Sequence, residues 1–372
     1  MSRWACTRAS GVVVVEKPVT GEANMDVLRK LLLLAGCLTL GACAALSGRP
    51  GTGTQAAIDD EAQAARARIG RKVKGLIVWS SSRAGNHNLF TMNPDGSHIK
   101  MITRGETVDW FPRFSPDGRE ILFCRSKQGW VYERDANMNF KWDLFTVSSD
   151  GGEPRKVAGD ACWGTWTGPR QIMFSRNTKV FTKDLGSGQE KLLLDSTRVE
   201  SLGGAELQQP QLSPDGKCLA LTLRGARRQT GVYDLQAHSW AHTGEGCQVN
   251  WFPSGGRILW VNPSGNGGSE LFSIPLKGCR PEREYSYEEM RYLDIPGRRS
   301  HEYFPKLSPD GKWLVWAATR RGHDHDIADY EIYIWEVGRP AAEATRLTFH
   351  SGNDRWPDIF TLATGGEHAA GQ

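Results

Sequence analysis

The 372-residue chain contains no dense run of lysine and arginine, and its net charge of +4 is spread among interspersed charges, so it lacks the footprint of a nucleic-acid-binding surface. It has no P-loop and no Rossmann glycine motif, so nothing marks a nucleotide site. It has no GxSxG, so the nucleophile elbow of an α/β-hydrolase is missing. None of its eight cysteines forms a CxxC pair, which argues against a metal or redox motif of that kind. The apolar run Leu31 to Ala42, 12 residues long, is too short to span a bilayer as a helix. Glycine (42 residues) and tryptophan (14) are abundant, and 39% of the chain is apolar, which together suit a turn-rich β protein with a sizeable core.

That apolar run reads as a leader. Residues 1–24 look like no n-region, so Met25 is the expected start, with Arg29 and Lys30 as the short basic segment. The run ends in Leu40-Gly41-Ala42-Cys43, which resembles a bacterial lipobox and makes Cys43 the expected lipidation site. Cys37, in "LAGC" (34–37), leaves only about six apolar residues ahead of the cut and is the less favoured alternative; an ordinary secretory leader is another. The resemblance implies a protein on the periplasmic face of the bacterial cell envelope, anchored by lipid and not spanning the membrane. Ala44 after the cysteine, where Asp would imply inner-membrane retention, favours the outer membrane. Residues 44–73 read as a flexible tether with a helical turn or two at 61–69, and 362–372 as a disordered tail. Between them stand five cysteines, Cys124, Cys162, Cys218, Cys247 and Cys279; the odd number leaves at least one free or paired outside the domain, and most are expected as small core residues.

The chain repeats itself. "FSPDGREILF" (114–123) returns as "LSPDGKCLAL" (212–221) and "LSPDGKWLVW" (307–316), with degenerate copies at 166–174 and 252–260. Aligned on the proline column, the positions Pro116, Thr167, Pro214, Pro253 and Pro309 step by 51, 47, 39 and 56 residues, the range of propeller blades. A second strand signal recurs six times, from "LFTM" (89–92) to "IYIW" (332–335). One more such strand than Ser-Pro-Asp-Gly copies implies that the first blade lacks its innermost strand. "RWPDIF" (355–360), similar to "DWFPRF" (109–114), is expected to supply it and close the ring. Ser-Pro-Asp-Gly itself reads as a hairpin turn: Pro sets φ for a type I turn, Asp accepts backbone hydrogen bonds and Gly takes positive φ. A phosphate cradle would lead into a helix, whereas a strand follows here.

The pattern Pro-x-[Phe/Leu]-Ser-Pro-Asp-Gly, an apolar strand, then "SSRAGNHNLFTMNPDGS" resembles the TolB-type six-bladed β-propeller repeat over residues 75–361. The resemblance implies an all-β, six-bladed propeller closed by the C-terminal strand. The family's namesake carries an α/β domain ahead of its propeller; the roughly 30 tether residues here leave no room for one, which puts its Pal and Tol partners in doubt for this chain.

In such a ring the short Ser-Pro-Asp-Gly turns share one face and the long insertions the other, so binding is expected on the insertion face. Three candidate groups lie there. The blade-two loop (125–142) offers Trp130, Tyr132, Arg134 and Asp135, with Phe140 and Trp142 either part of the loop or the start of the next strand. Asp109, Glu302 (preceded by His301) and Asp354 each stand three residues before a proline, and form either turn caps or a partly acidic ring for a cation or basic group. "GHDHDIADYE" (322–331) holds His323, Asp324, His325, Asp326, Asp329 and Glu331, either a solvated polar loop or a divalent-cation site, Ca²⁺ by its carboxylates; its spacing is neither EF-hand nor HExxH. The reading favoured is a non-catalytic, monomeric scaffold that binds a protein or peptide partner in the envelope. The alternative is a propeller enzyme, such as a metal-assisted polysaccharide lyase or glycoside-active protein, with His301, His323 or His325 as base. If Ser-Pro-Asp-Gly is scaffold, Asp117→Ala and Asp215→Ala each lower stability by about 0.5–1.5 kcal/mol in urea melts and leave ligand selectivity unchanged.

Overall fold

Each complete Ser-Pro-Asp-Gly copy closes a hairpin with the same internal bonds. The Ser115 hydroxyl donates to Asp117 Oδ1 (2.6 Å), which also accepts the Arg119 N–H (3.1 Å), while the Glu120 N–H donates back to Ser115 Oγ (2.9 Å). Ser213 and Asp215 repeat the 2.6 Å bond, and Ser308 and Asp310 form it at 2.5 Å. Gly118 sits at φ +72°, and a Cβ there would lie 2.5 Å from the Phe360 ring, so the turn admits only glycine.

A computed structural model of the protein describes residues 53–225, 228–263, 268–295, 300–320, 322 and 324–362. These residues form an all-β propeller. Four antiparallel four-stranded sheets are separate. The first combines Gly75–Ser81, Asn88–Met92 and Lys100–Met101 with the C-terminal strand Asp354–Thr361, which pairs antiparallel with Gly75–Ser81 (Leu76↔Phe360, Ser81↔Asp354). The next three begin at the strands Asp109–Phe114, Cys162–Gly168 and Glu206–Leu212. The expectation of six separate blades is corrected here: the last two repeats share one nine-stranded sheet. Where a fourth strand is expected after Ser269–Lys277, the described residues supply only the short strands Arg280–Pro281 and Arg291–Leu293. The uncovered end of Ser269–Lys277 then meets the next inner strand, His301–Leu307, in a single parallel pair, Ser269↔His301.

The innermost strands share a second device. Each shifts register at one bulky residue with positive φ: Phe111, Trp163, Gln209, Gln248, Phe304 and Trp356, at φ between 51° and 64°. Each is one residue too many for its partner strand, the definition of a bulge. The four aromatic ones form a continuous chain of rings, Trp163 to Phe111 (centroids 4.1 Å), Phe111 to Trp356 (4.5 Å) and Trp356 to Phe304 (5.1 Å), all buried.

Residues 53–73, read as part of a flexible tether, instead include a 13-residue helix, Asp60–Lys72. Asp59 caps it by accepting the Ala62 N–H, with acidic residues in its first turn and basic ones in its last, as the helix dipole favours. Ile69 and Val73 are buried in the main core, and the Arg66 Nε–H donates to the Asp95 carbonyl (2.7 Å), which fastens the helix to the propeller. The expected tail lies outside the described residues beyond Leu362.

Cys218 and Cys279 form a disulfide, joining the sheet that starts at Glu206 to the nine-stranded one, while Cys124, Cys162 and Cys247 are buried free thiols. Cross-linking a separation of 61 residues restricts the unfolded chain. Cys218→Ala is expected to lower unfolding stability by about 2–4 kcal/mol, and reductant to lower the melting temperature of the wild type but not of the variant. Cys124→Ala keeps the reductant sensitivity.

Candidate functional site

The blade-two loop is built, not draped. Val131 and Ala136 anchor it in the core, Glu133–Asp135 and Asn139–Lys141 are short 3₁₀ turns, and Trp142 begins the next strand fully buried. Asp135, a binding-face candidate, serves the loop itself: its carboxylate takes the Lys141 ammonium (2.6 Å) and its carbonyl the Trp142 indole N–H (3.3 Å). Trp130 is half-buried beside His87 (5.7 Å between rings), and the Arg134 guanidinium lies over the Tyr132 ring (4.9 Å) with its side chain 78% exposed. Phe140 is 62% exposed.

Glu133, between two of the selected residues, reaches across to the loop of the sixth repeat. Its N–H donates to both Asp326 carboxylate oxygens (3.0 and 3.2 Å), and its own Oε1 lies 3.3 Å from His325 Nδ1. The His325 ring packs edge-on against Tyr303 (4.4 Å), Phe304 (5.6 Å) and Tyr330 (5.7 Å). Burial opposes ionisation of Glu133, but His325, Arg355 and Arg228 outweigh it and hold the carboxyl down at about 2. Burial pushes the Asp326 carboxyl up, against the pull of Arg355.

Beneath the loops lies Arg355, fully buried, its guanidinium over the rings of Trp356 (4.0 Å) and Trp110 (5.1 Å). The hydrogen bonds around His87 assign its protons. The Ser80 hydroxyl donates its one proton to the Asp109 carbonyl (2.7 Å), so it accepts from His87 Nδ1 (3.0 Å). His87 Nε2 is then the acceptor for Arg355 Nη2 (3.2 Å). Burial and Arg355 keep His87 neutral by pushing its pKa well below the usual histidine value. Burial lowers Arg355 itself to about 10, with Asp326 and Glu133 opposing.

The three acids read as either turn caps or a partly acidic ring are held one by one. Asp109 takes a bidentate Arg125 (2.7 and 2.8 Å), Asp354 the Trp79 indole N–H (3.1 Å) and Arg83 (2.7 Å), and Glu302 the Ser300 hydroxyl (2.6 Å). All three are fully buried, and burial, with nearby Asp294, raises Glu302 to about 9 despite Ser300. His301 is buried and stacked on Tyr303 (6.4 Å).

The candidate metal ligands do not converge. Asp324 accepts the Asp326 N–H (2.8 Å), Asp326 and His325 face Glu133, Asp329 is exposed, and Glu331 takes Thr348 and Arg346. Among the described residues no three His, Cys, Asp or Glu side chains are placed to hold a metal ion. His323 and Cys43 lie outside the described residues.

Glu133, Arg355 and His87 escaped the sequence reading. Arg355 left a signal: in "RWPDIF" it fills the slot held by Trp110 in "DWFPRF" and Tyr303 in "EYFPKL", a charge among aromatics. Glu133 left none, because its partners are about 190 residues away in the chain.

No family profile matches the chain. It is 22% identical over 245 residues to Dipeptidyl-peptidase 5 of Porphyromonas gingivalis, covering 64% of this chain and 34% of that protein. It is 31% identical over 123 residues to the Tol-Pal system protein TolB of Geobacter metallireducens, 32% of this chain and 28% of that one. The chain thus spans about a third of the length of these curated relatives. The crystal structure of TolB from Acinetobacter baumannii superposes with a TM-score of 0.55 at 16% identity, over 77% of this chain and 66% of that one. Taken with the bulged inner strands and the hairpin repeats, the described residues fold as a TolB-like β-propeller.

Proposed function

We propose that this chain is a non-catalytic binding scaffold of the cell envelope, which docks a protein or peptide on the face made by the loops of repeats two and six. One observation carries the reading. The two loops are fastened to each other through Glu133, Asp326 and His325, and together they present Phe140 (62% exposed), Met138 (41%) and Ile327 (61%) to solvent. A rigid platform with exposed apolar side chains and an arginine on a tyrosine ring has the composition of a protein interface. The disulfide supports an oxidising compartment, and the TolB likeness supports the envelope. Within this proposal, six repeats form a ring closed by Asp354–Thr361, supported by its pairing with Gly75–Ser81, and a lipid on Cys43 holds the protein at the outer membrane.

The likeness to Dipeptidyl-peptidase 5 favours a second reading, in which the same face receives peptide substrate for a hydrolase. GxSxG is absent from these 372 residues, so within that reading the propeller supplies the docking face and not the nucleophile.

Photo-crosslinkers placed at Phe140 and Ile327 are expected to capture one common envelope protein, and Arg134→Glu to abolish the capture. Equal labelling from a crosslinker at Gly188, on an outer turn, would remove the platform from the case. The locking acid has its own signature. Because its pKa is depressed, Glu133 contributes stability in full above its ordinary value of about 4.5, and the contribution is lost as pH falls from there toward about 2. Glu133→Gln is expected to flatten that part of the stability–pH curve and to expose the 127–141 loop to limited proteolysis at neutral pH.

A further inference from the structure

The bulged inner strands carry a second layer of polar residues, two positions beyond each bulge: Arg113, Thr165, Gln211, Asn250, Lys306 and Asp358. These six positions come together around a single cavity of about 300 Å³. Its rim is made by the Ser-Pro turns, with Pro116, Pro214, Pro253 and Pro309, and by Trp166 and Trp251. The two indoles are fixed, since Trp166 donates to the Arg113 carbonyl (3.1 Å) and Trp251 to the Gln211 carbonyl (3.0 Å). The cavity therefore opens among the short turns, apart from the loop platform.

The charges in this cavity are unbalanced. Lys306 and Asp358 are each 9% exposed, and Arg113 is half-buried. Asp358 accepts the Phe114 N–H (2.8 Å), and Arg113 donates to the Pro112 carbonyl (2.6 Å). Among the described residues no hydrogen bond and no ion pair within 4.0 Å reaches the Lys306 ammonium, and none joins Arg113 to Asp358. Two basic side chains line the cavity with one carboxylate, so with both protonated the cavity carries one positive charge in excess. Burying an ammonium without an acceptor is costly, and a ligand carboxylate between Lys306 and Arg113 would remove that cost through charge-assisted hydrogen bonds. Burial and Arg113 push the Lys306 pKa well below the usual lysine value, with Asp358 opposing, as expected of a cation short of anionic partners.

We infer that this cavity is a second binding site, which takes a carboxylate on a short aliphatic chain: Lys306 and Arg113 hold the carboxylate, while the prolines, Trp166 and Trp251 pack on the chain. The carboxylate comes either from a free small acid or from an acidic side chain of a peptide. The inference does not depend on the loop platform, because the two sites share no residue.

Titration calorimetry on the full chain tests it with four probes: glutarate, the peptide acetyl-Gly-Gly-Asp-Gly-amide, its Asn counterpart and inorganic phosphate. The Asp peptide or glutarate is expected to bind, with the Asn peptide at least tenfold weaker. Lys306→Met should weaken carboxylate binding at least tenfold while keeping a cooperative melt. Asp358→Asn, which removes the competing acid, should tighten it. Equal affinity for glutarate and the Asp peptide assigns the site to free acids, whereas a tenfold preference for the peptide assigns it to a protein segment; either outcome supports the inference. It is overturned if neither carboxylate binds at millimolar concentration, if phosphate or the Asn peptide binds as tightly, or if folded Lys306→Met binds like the wild type.

Discussion

The molecule depends on a backbone constraint: a bulky residue held at positive φ in each innermost strand. For residues such as Trp356 and Phe111 this region of φ/ψ space costs about 1–2 kcal/mol apiece, and it persists only where packing over-determines it. Here the packing is the chain of rings from Trp163 to Phe304. The extra residue shifts the register of the strand, so the side chains before and after it serve different surroundings. Arg355 before the bulge belongs to the charge cluster under the loops, and Asp358 after it to the cavity among the turns. One local distortion, repeated, thereby places both candidate sites.

Electrostatics differ between the two places. Under the loops, opposite charges lie near one another: Glu133 has His325 and Arg355 near it, and Arg355 Nη2 donates to His87, while Arg355 Nε and Nη1 have no hydrogen-bond acceptor among the described residues. Among the turns, burial and Arg113 oppose the charge of Lys306, and Asp358 supports it without an ion pair within 4.0 Å. Matched buried charge fastens parts together, and mismatched buried charge is what a complementary ligand would relieve.

What could be read from the sequence tracks how local each cause is. Ser-Pro-Asp-Gly is a turn because of bonds within six residues, so its role is visible in the letters alone. The fusion of two repeats into one sheet is not visible, because it follows from a fourth strand broken into Arg280–Pro281 and Arg291–Leu293. The acids before each proline share a sequence position but not a partner, and Arg125, Arg83 and Ser300 each claim one. The polar ring was written openly, as the x in Pro-x-Phe-Ser-Pro and its relatives, but a turn motif draws the eye past the residue ahead of it. Glu133 is the opposite case, an unremarked glutamate given meaning only by a loop far away in the chain.

The ring chain of Trp163, Phe111, Trp356 and Phe304 also separates two chemistries along the inner strands. Ahead of the bulges stand Arg355 and its neighbours, and beyond them stand the polar residues around the cavity among the proline turns. Substitutions on one side of the rings can therefore accumulate without disturbing the packing of the other.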